Sequence, residues 1–492
     1  MGLTSGWAAR WAADGDRAAL VDGADGAGGA TLTAAELSHR TADVAGVLAG
    51  LGVRPGDRVL LSCAPSVPTV LAYVAILRLG AVVVPANTAY TTAELEHIVG
   101  DVRPVFAVAD EPGRVAGLRL DARSPGALVS GPAEDTTGPV VLDAAEDGEP
   151  AMVAYTSGTT GRPKGAVLSH GNLRAGADAL VAAWGWTPAD RLVHALPMFH
   201  MHGLGAAVNG TLSAGASMVV LPRFDPAAVA HAVPAYDATL FFGVPTMYAR
   251  LRDTGNLAAL RGLRLLVSGS APLDPVLFQA IAAETGQRPI ERYGMSETVM
   301  LTSNPLHGER RAGSVGRPLP GVRLRLGAAG AVEVTGPNVF AGYWERPDAN
   351  AEAFTADGWF RTGDVGELDE DGYLRLVGRT SDLIITGGYN VYPREVEDVL
   401  REHPDVLDVA VAGEPDGTWG EVVVAYVVTR GGLGDLGAAL AAHVGARLAP
   451  YKRPRRWVRV AELPRNAMGK VRRDALPTLS PAAREGGGCG GG

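Results

Sequence analysis

The stretch Tyr155-Thr-Ser-Gly-Thr-Thr-Gly-Arg-Pro-Lys-Gly165 is the most informative segment of this 492-residue chain. It follows the apolar run Met152 to Ala154, which predicts a strand leading into a loop. Glycines let backbone amides approach phosphate oxygens, and hydroxyls add further donors. The segment lacks the Gly-x-x-x-x-Gly-Lys-Ser/Thr pattern of a Walker A loop. We interpret it as a phosphate-binding loop of another kind. Its candidate nucleotide-binding residues are Thr156, Ser157, Gly158, Thr159, Thr160, Gly161 and Lys164.

Lysine is rare in this chain and marks candidate functional positions. It occurs only at Lys164, Lys452 and Lys470, and arginine supplies the rest of the 44 basic residues. The ammonium of lysine is a compact point charge on a flexible chain, so it can stay close to a phosphate that moves during a reaction. The planar guanidinium of arginine does this less well. We therefore expect roles for Lys164 and for Lys470, which ends the motif Leu463-Pro-Arg-Asn-Ala-Met-Gly-Lys470. For Lys452, a functional role and the chance survival of a lysine codon are equally good explanations.

Composition narrows the classes of partner. The net charge of −9 argues against bulk binding to nucleic acid or membrane surfaces. The most apolar stretch, Val70 to Val84, is interrupted by Arg78 and Gly80 and is too short to span a bilayer. Two cysteines, Cys63 and Cys489, cannot form a disulfide framework. With no recognisable secretory signal, we expect a cytoplasmic protein in a reducing compartment.

Strands and helices alternate along the first two thirds of the chain. Such βα units imply an α/β fold, with sheets covered by helices. From about Ala331, short strands and Gly/Asp turns predict a β-rich subdomain. The predicted strands include Arg58–Ser62, Ala81–Val84, Ala216–Leu221 and Leu263–Val267, and the predicted helices include Pro68–Leu79 and Asp274–Thr285.

We place a domain boundary near Ser381. Beyond it, two helices and two strands predict a compact α+β unit: Pro393–His403, Val406–Ala412, Val422–Val428 and Leu436–Leu448. The predicted organisation is a large N-terminal domain (1–380, β-rich from about 331), a small C-terminal domain (381–484) and a tail (485–492). The tail is mostly glycine and cannot form a packed element.

Further motifs follow the glycine-rich segment in a fixed order. They are Pro197-Met-Phe-His-Met-His-Gly203, Ser268-Gly-Ser-Ala-Pro272, Glu291-Arg-Tyr-Gly-Met-Ser-Glu-Thr298, Trp359-Phe-Arg-Thr-Gly-Asp364, Gly378-Arg379 with Asp382, Gly387-Gly-Tyr-Asn390 and Pro464 to Lys470. The set spans nearly the whole chain and resembles the adenylate-forming superfamily of acyl-CoA synthetases, adenylation domains and luciferases. The resemblance implies that the C-terminal domain is a mobile lid.

The resemblance also implies a first reaction, in which a carboxylate attacks the α-phosphate of ATP. Glu297 would hold Mg²⁺, Ser296 would donate to the α-phosphate, and Lys470 would bridge carboxylate and phosphate oxygens. The other residues implied in ATP and AMP binding are Ser270, Ala271, Pro272, Glu291, Arg292, Tyr293, Gly294, Asp364 and Arg379. Among these, Tyr293 offers a flat face for adenine and Asp364 can accept the ribose hydroxyls.

In the second implied reaction, coenzyme A attacks the acyl adenylate after the lid rotates about Ser381. Many relatives carry Asp or Lys at this hinge. Gly387, Gly388 and Tyr389 would line the pantetheine tunnel. The segment from Arg447 to Arg473 is strongly basic, so Arg453 is a candidate anchor for CoA phosphates. A solvated basic face explains the same pattern equally well.

Arg264 suggests which carboxylic acid is the substrate. It lies in an apolar strand beside the Ser268–Pro272 motif. A buried arginine needs a carboxylate partner, and the second carboxylate of a dicarboxylate substrate would supply one. The neighbourhood resembles malonyl-CoA synthetases, so we predict a malonate–CoA ligase that also accepts methylmalonate. His202 and Met295 would complete the carboxylate site, and His200 would line the acyl/CoA junction. A structural salt bridge of Arg264 within the protein is the alternative.

Other functions remain open at this stage. The nearest is a short- or medium-chain fatty, or aryl, acyl-CoA synthetase, which would need an apolar acyl pocket. A stand-alone adenylation domain would load a carrier protein, but no carrier domain follows Lys470, so we expect free CoA, ATP and malonate to be the partners. A luciferase-like oxygenase rests on fold alone. A non-catalytic nucleotide-binding regulator conflicts with the retention of Lys164, Glu297, Asp364 and Lys470 together.

Overall fold

The computed structural model describes residues 2–24, 28–131, 139–156, 163–432, 434–466 and 469–477. It divides into two compact units. Unit 1 comprises the chain up to Arg325, with 333–360 and 370–374, and unit 2 comprises 326–332, 361–369 and the chain from Arg375 onward. The sequence assigned 326–332 and 361–369 to the N-terminal domain. They group with unit 2, in which 361–368 and 375–379 are neighbouring strands of the four-stranded sheet β16-β17-β19-β20.

The helices and strands have the following bounds. The helices α1 to α14 are Leu3–Ala13, Ala34–Gly50, Val67–Arg78, Thr92–Val102, Pro112–Ala116, Pro125–Ser130, His170–Ala183, Asn209–Ala214, Pro226–Ala235, Pro245–Asp253, Pro275–Thr285, Pro347–Ala353, Pro393–Arg401 and Gly434–Gly445. The strands β1 to β25 are Ala18–Asp22, Thr31–Thr33, Arg58–Ser62, Val82–Pro85, Phe106–Ala109, Ala122–Arg123, Pro150–Thr156, Lys164–Ser169, Arg191–His194, Ser217–Val220, Leu240–Gly243, Leu265–Ser268, Ile290–Tyr293, Thr302–Ser303, Arg317–Pro318, Arg323–Leu326, Ala331–Thr335, Gly342–Tyr343, Phe360–Leu368, Leu374–Arg379, Ile384–Thr386, Tyr389–Val391, Val406–Asp416, Gly420–Thr429 and Arg456–Arg459. A π-helix covers His202–Val208, and short 3-10 turns complete the described elements.

Two large sheets build unit 1. The first has the order β15-β14-β13-β12-β11-β9-β10-β1-β2, and its strands β9 to β13 pair in parallel. The second has the order β18-β8-β7-β4-β3-β5-β6, with β3, β4 and β5 parallel and β8 antiparallel to β7. Parallel strands covered by helices are the α/β pattern that the sequence predicted.

Local sequence explains where the helices begin. Helix α3 starts after Ser66, whose side chain accepts the backbone N–H of Thr69, and all of its residues except Pro68 are buried. Helix α11 starts after Asp274, which accepts the N–H of Val276, with Pro275 at the first helical position. A side-chain oxygen at the cap satisfies an N–H that has no partner within the helix. Both helices lie within one or two residues of their predicted bounds.

The core of the first sheet is apolar and almost fully buried. It includes Val193, Phe241, Tyr248, Leu266 and Phe278, each at most 1% exposed. Fully burying a side chain of this size contributes roughly 1.5–3 kcal/mol, so this sheet is a rigid support for the loops at its edges. Within the described part of the chain, no helix is long and apolar enough to cross a membrane.

Unit 2 contains a separate sheet of the order β22-β21-β24-β23, with β25 parallel to β24. Helices α13 and α14 pack on it around Val396, Val411, Val427 and Leu440, all fully buried. The strand pair β23 and β24 is antiparallel over most of its length. This α+β arrangement is the one predicted for the C-terminal part of the chain. The exact boundary at residue 380 stays a prediction.

Candidate active site

Two antiparallel strands of unit 1 carry the ends of the glycine-rich segment. Strand β7 ends at Thr156 and strand β8 begins at Lys164, and these two residues are paired across the ladder. The hydroxyl of Thr156 also donates to the carbonyl of Lys164 over 3.4 Å. The strand leading into the loop is therefore confirmed. Five of the predicted phosphate-binding residues lie outside the described part of the chain: Ser157, Gly158, Thr159, Thr160 and Gly161.

Helix α4 holds the ends of this hairpin. The hydroxyl of Tyr155 donates to Asp101 over 2.7 Å, and Arg346 binds the other oxygen of the same carboxylate over 2.9 Å. Burial and the adjacent carboxylate raise the pKa of Tyr155 far above its usual range, so its hydroxyl stays a donor. A ring nitrogen of His97 lies 2.9 Å from the carbonyl of Pro163. These contacts fix the residues on both sides of the glycine-rich loop.

The loops that follow β12 and β13 lie at one edge of the first sheet. Because the two strands are parallel neighbours, their carboxyl ends meet there, which is the usual position of ligand sites in such sheets. Ser270 has a φ of +70°, a left-handed conformation that is costly for a residue other than glycine. This edge carries several predicted nucleotide-binding residues: Ser270, Ala271, Pro272, Tyr293 and Gly294.

Glu291 has a structural role in this edge. Its Oε1 accepts the backbone N–H of Leu273 over 3.0 Å, and its own carbonyl accepts the side-chain amide of Asn304. The side chain is 1% exposed. Glu291 therefore braces the loop after β12 through one carboxylate oxygen, and its contact with the nucleotide stays a prediction.

Glu297 is a buried carboxylate at the same edge, 4% exposed. Its Oε1 accepts the hydroxyl of Tyr343 over 3.0 Å. No group of three or more His, Cys, Asp or Glu side chains that could hold a metal occurs in the described residues. Mg²⁺ needs no such cluster, because it keeps several waters and binds one or two carboxylates together with substrate phosphates. A single buried carboxylate fits that mode of binding, and Ser296, the preceding residue, is half-buried.

A buried guanidinium lies next to the loop after β12. Arg292 is 5% exposed, and within the described chain its Nε and Nη2 have no hydrogen-bond partner. A Cβ added to Gly269 would come within 2.4 Å of the guanidinium carbon, so Arg292 fills the space that a side chain there would need. Burial lowers the pKa of Arg292 to about 9, and the group stays cationic at neutral pH. An uncompensated buried cation is costly, so such a group indicates a site for an anion.

His202 is buried near the same cation. It opens the π-helix 202–208, a rare element that is frequent at functional sites. Its Nδ1 lies 3.4 Å from the hydroxyl of Ser270, and its Nε2 has no partner among the described atoms. Burial, and then the charge of Arg292, lower the pKa of His202 well below its usual range. A neutral imidazole carries one N–H donor, which a carboxylate can accept.

Two other predicted acyl-site residues lie close in sequence to these groups. Burial lowers the pKa of His200 to about 4, and its ring centre is 4.5 Å from that of Phe199. Met295 is half-buried in the loop after β13, where its backbone N–H donates to the hydroxyl of Thr298 over 3.4 Å. Their roles at the acyl/CoA junction and in the carboxylate site stay predictions.

In unit 2, three of the predicted nucleotide residues interact. Arg379 donates through Nε to Asp364 over 2.9 Å, and Asp364 is 6% exposed. Lys470 is exposed by surface area, yet nearby protein atoms desolvate its ammonium and lower its pKa. The charge of Arg379 lowers that pKa further, whereas Asp364 and Asp382 oppose the effect. Lys470 therefore shares one electrostatic environment with Asp364 and Arg379, although they are about a hundred residues apart in sequence.

The predicted CoA loop also lies in unit 2. Gly387 and Gly388 have φ values of +57° and +82°, which favour glycine, and a Cβ on Gly387 would approach Trp419 to 2.7 Å. Tyr389 is 57% exposed and its ring stacks on Tyr451 with centres 4.7 Å apart. The loop thus presents backbone and an aromatic face to solvent. Contact with pantetheine stays a prediction.

Two further predictions for this unit concern Arg453 and Ser381. Arg453 donates through Nε and Nη2 to the carbonyls of Leu448 and Gly445 over 2.9 and 2.8 Å, so it closes the end of helix α14. Its contact with CoA phosphates stays a prediction. Ser381 is exposed within a short 3-10 turn, and its hydroxyl donates to Asp382 over 3.0 Å. Its role as a hinge stays a prediction.

Comparison with known proteins decides the family. A family model described as AMP-binding enzyme matches residues 7–344, and one described as AMP-binding enzyme C-terminal domain matches residues 395–470. The chain belongs to the AMP-binding enzyme family. The resemblance inferred from the ordered motifs is therefore confirmed.

Individual members of the family are similar over most of their length. The malonate–CoA ligase of Arabidopsis thaliana is 35% identical over 479 residues, which cover 87% of this chain and 78% of the relative. A feruloyl-CoA synthase of an Amycolatopsis species is 38% identical over 470 residues, covering 90% and 93%. The crystal structure of ATP-bound MatB from Rhodopseudomonas palustris is 39% identical, covers 97% of this chain and 98% of its own, and has a TM-score of 0.88. The predicted α/β fold is confirmed by this likeness.

In this AMP-binding enzyme, Arg264 is not the carboxylate clamp that the sequence suggested. Its Nε and Nη2 bind the two oxygens of Asp190, each over 2.6 Å, and Nη1 and Nη2 donate to the carbonyls of Trp184 and Gly185. Asp190 is 3% exposed, so the pair is a structural salt bridge. Arg264 also precedes β12 at its amino end, whereas Ser270 follows the carboxyl end. The structural alternative is therefore correct.

Sequence reasoning missed Tyr343, which contacts both Lys164 and Glu297. The ammonium of Lys164 lies 5.4 Å from the centre of the Tyr343 ring, within the range of a cation–π contact. The hydroxyl of Tyr343 is the donor to Glu297 described above. Tyr343 lies in an aromatic-rich stretch with Phe340 and Trp344, where aromatic side chains predict packing, so no local signal distinguished it from a core residue.

Proposed function

We propose that this AMP-binding enzyme is an ATP-dependent malonate–CoA ligase, forming malonyl-CoA, AMP and pyrophosphate. The observation that carries the proposal is the buried cation Arg292, whose Nε and Nη2 have no partner among the described residues. It lies near the neutral, buried His202, whose Nε2 is likewise without one. A dicarboxylate would place its second carboxylate against these donors. The similarity to a malonate–CoA ligase supports the same substrate.

The first step is attack of one malonate carboxylate on the α-phosphorus of ATP. A phosphorus–oxygen bond to the acid forms, the bond to the pyrophosphate oxygen breaks, and the malonyl adenylate remains. Positive groups must stabilise charge on the phosphates. We assign Lys164 to the β- and γ-phosphates and Lys470 to the reacting carboxylate and α-phosphate. Mg²⁺ would neutralise phosphate charge when held by Glu297.

The second step transfers the malonyl group from the adenylate to coenzyme A. The thiol sulfur attacks the acyl carbon, the thiol proton is lost, and AMP leaves with the bonding electrons. We assign the loop Gly387-Gly-Tyr389 to the pantetheine arm, because its glycines expose backbone that a narrow arm can follow. The acceptor is free CoA, and no carrier protein is required. Ser381 remains our candidate for the hinge between the two steps.

The acid specificity follows from charge and from size. Arg292 can offer two donors to one carboxylate, and fork-shaped pairing of this kind fixes geometry as well as charge. A monocarboxylate would leave the buried cation without a counter-ion, and so would bind less well. A methyl group on C2 of malonate changes binding by only about 1–3 kcal/mol in an apolar pocket, so we expect methylmalonate to be accepted.

The rival function is an aryl acyl-CoA synthetase, favoured by the 38% identity to a feruloyl-CoA synthase. A ferulate side chain needs an apolar pocket, and a buried guanidinium without a partner in that pocket would oppose it. Arg292 therefore favours malonate over ferulate.

Product analysis tests the proposed function. Purified protein with ATP, Mg²⁺, CoA and malonate should give malonyl-CoA, AMP and pyrophosphate in equal amounts, measured by mass spectrometry and ion-exchange chromatography. Formation of ADP and phosphate, or of no thioester, would contradict the mechanism. If a thioester forms from ferulate but not from malonate, the adenylation mechanism stands and the assignment of malonate as the substrate is rejected.

A further inference from the structure

We propose that Tyr343 is a positioning residue in the binding of Mg²⁺·ATP. Its ring positions the ammonium of Lys164, and its hydroxyl positions the carboxylate of Glu297. The inference deepens the proposed function and rests on it, since it requires that this site binds ATP. Tyr343 is partly buried, and it contacts one residue of each charge.

Strand pairing places Tyr343 beside Lys164. Strands β18 and β8 are antiparallel, with Tyr343 opposite Ala166. Lys164 is two residues before Ala166 and so lies on the same face of β8, within diagonal reach of an aromatic ring. The backbone N–H of Trp344 donates to the carbonyl of Gly165 over 2.8 Å, which fixes this register.

A second set of bonds joins the same segment to the loop of Glu297. The backbone N–H of Phe340 donates to the carbonyl of Glu297 over 2.8 Å. The side-chain amide of Asn338 donates to the carbonyls of Thr298 and Met300 over 2.8 and 2.7 Å, and Asn338 is 1% exposed. The Phe340 ring packs edge-on against Tyr343, with centres 4.9 Å apart. Segment 338–344 therefore bonds to both the strand of Lys164 and the loop of Glu297.

The two contacts of Tyr343 have different effects on the charged groups that they position. A ring face attracts an ammonium without neutralising its charge, so Lys164 keeps its full positive charge for phosphate. A phenol hydroxyl donating to a carboxylate fixes the orientation of that carboxylate, and groups that orient a metal ligand strengthen metal binding. Because the side chain is held by Phe340 and by strand pairing, little conformational freedom is lost when ligand binds.

Calorimetric titration of the whole protein with α,β-methylene-ATP, which cannot be cleaved between the α- and β-phosphates, separates these contributions. Titrations run with Mg²⁺ and with EDTA, and without acid or CoA. Tyr343→Phe keeps the ring but removes the hydroxyl, so its affinity with Mg²⁺ should fall roughly tenfold while the metal-free affinity changes less than about twofold. Tyr343→Leu also removes the ring and should weaken metal-free binding as well.

Tyr373→Phe is the matched control, because its hydroxyl donates to a backbone carbonyl, that of Glu309, over 2.8 Å. It should bind the analogue like wild type with and without Mg²⁺. The inference is overturned if Tyr343→Phe matches wild type with Mg²⁺, or if it weakens binding equally with and without the metal. If wild type itself binds no analogue under either condition, the proposed function fails and the inference fails with it.

Discussion

Replacing Arg292 by methionine should remove malonate activity and leave the protein at least as stable. Burial lowers the pKa of Arg292 to about 9, whereas a guanidinium ordinarily titrates above ~12. At ~1.4 kcal/mol per pH unit, this lowering by more than about three units means that keeping the charge in its site costs at least roughly 4 kcal/mol. Methionine is uncharged and of similar length, so it removes that cost.

The sign of the stability effect follows from linkage. Folding lowers the pKa of this base, so the destabilisation is present in full below about pH 9 and is lost as the pH rises from there into the ordinary range of a guanidinium. Thermal melts of ligand-free protein at neutral pH should therefore show Arg292→Met melting at or above wild type.

The same substitution should reverse the preference for acids. Removing one partner of a buried ion pair costs about 3–5 kcal/mol, which corresponds to a loss of roughly 10²- to 5 × 10³-fold in kcat/KM for malonate. Butyrate carries no second charge, so its kcat/KM should be unchanged or higher. Pyrophosphate release with each acid measures both values.

Arg264→Met provides a matched control, because Arg264 directly precedes the neighbouring strand β12. It would leave the buried carboxylate of Asp190 without the guanidinium that binds both its oxygens, so the melting temperature should fall. The ratio of malonate to butyrate activity should stay as in wild type. The reasoning is refuted if Arg292→Met still prefers malonate, or if folded Arg264→Met loses that preference.

Three further outcomes are expected. Lys470→Ala should slow pyrophosphate exchange with malonate by roughly 10²- to 10³-fold, while thioester formation from supplied malonyl adenylate persists. Because the pKa of Lys470 is lowered by desolvation, adenylation by wild type should decline with rising pH before an ordinary lysine would titrate, and Lys470→Arg should lack that decline. Because the pKa of His202 lies well below its usual range, kcat/KM for malonate should show no step from this residue between about pH 6 and 8.

Local sequence was enough for much of the fold. Strand β3 runs from Arg58 to Ser62 as predicted, because an apolar run bounded by turn residues leaves little choice of limits. Helix α11 was predictable from its capping aspartate and the proline that follows it. The grouping of 326–332 and 361–369 with the C-terminal chain was not predicted, since hydrophobic patterns give the strands but not the compact unit to which each strand belongs.

The site was predicted in part. The motif order singled out Glu297 and Lys164, whose roles stay predictions, but the assignment of Arg264 as a carboxylate clamp was wrong. Its partner Asp190 is 74 residues away, and no local pattern shows such a pairing. The rule that ligands bind at the carboxyl ends of parallel strands would have favoured Arg292 in β13 over Arg264, which precedes β12.

The most direct test of the central claim is the ratio of kcat/KM for malonate to that for ferulate, measured by thioester formation with purified protein, ATP, Mg²⁺ and CoA. Because Arg292 needs an anionic partner, we predict a ratio well above one. We also predict that kcat/KM for methylmalonate exceeds that for ferulate. A ratio below one would contradict the assignment of Arg292 as the site of the second carboxylate.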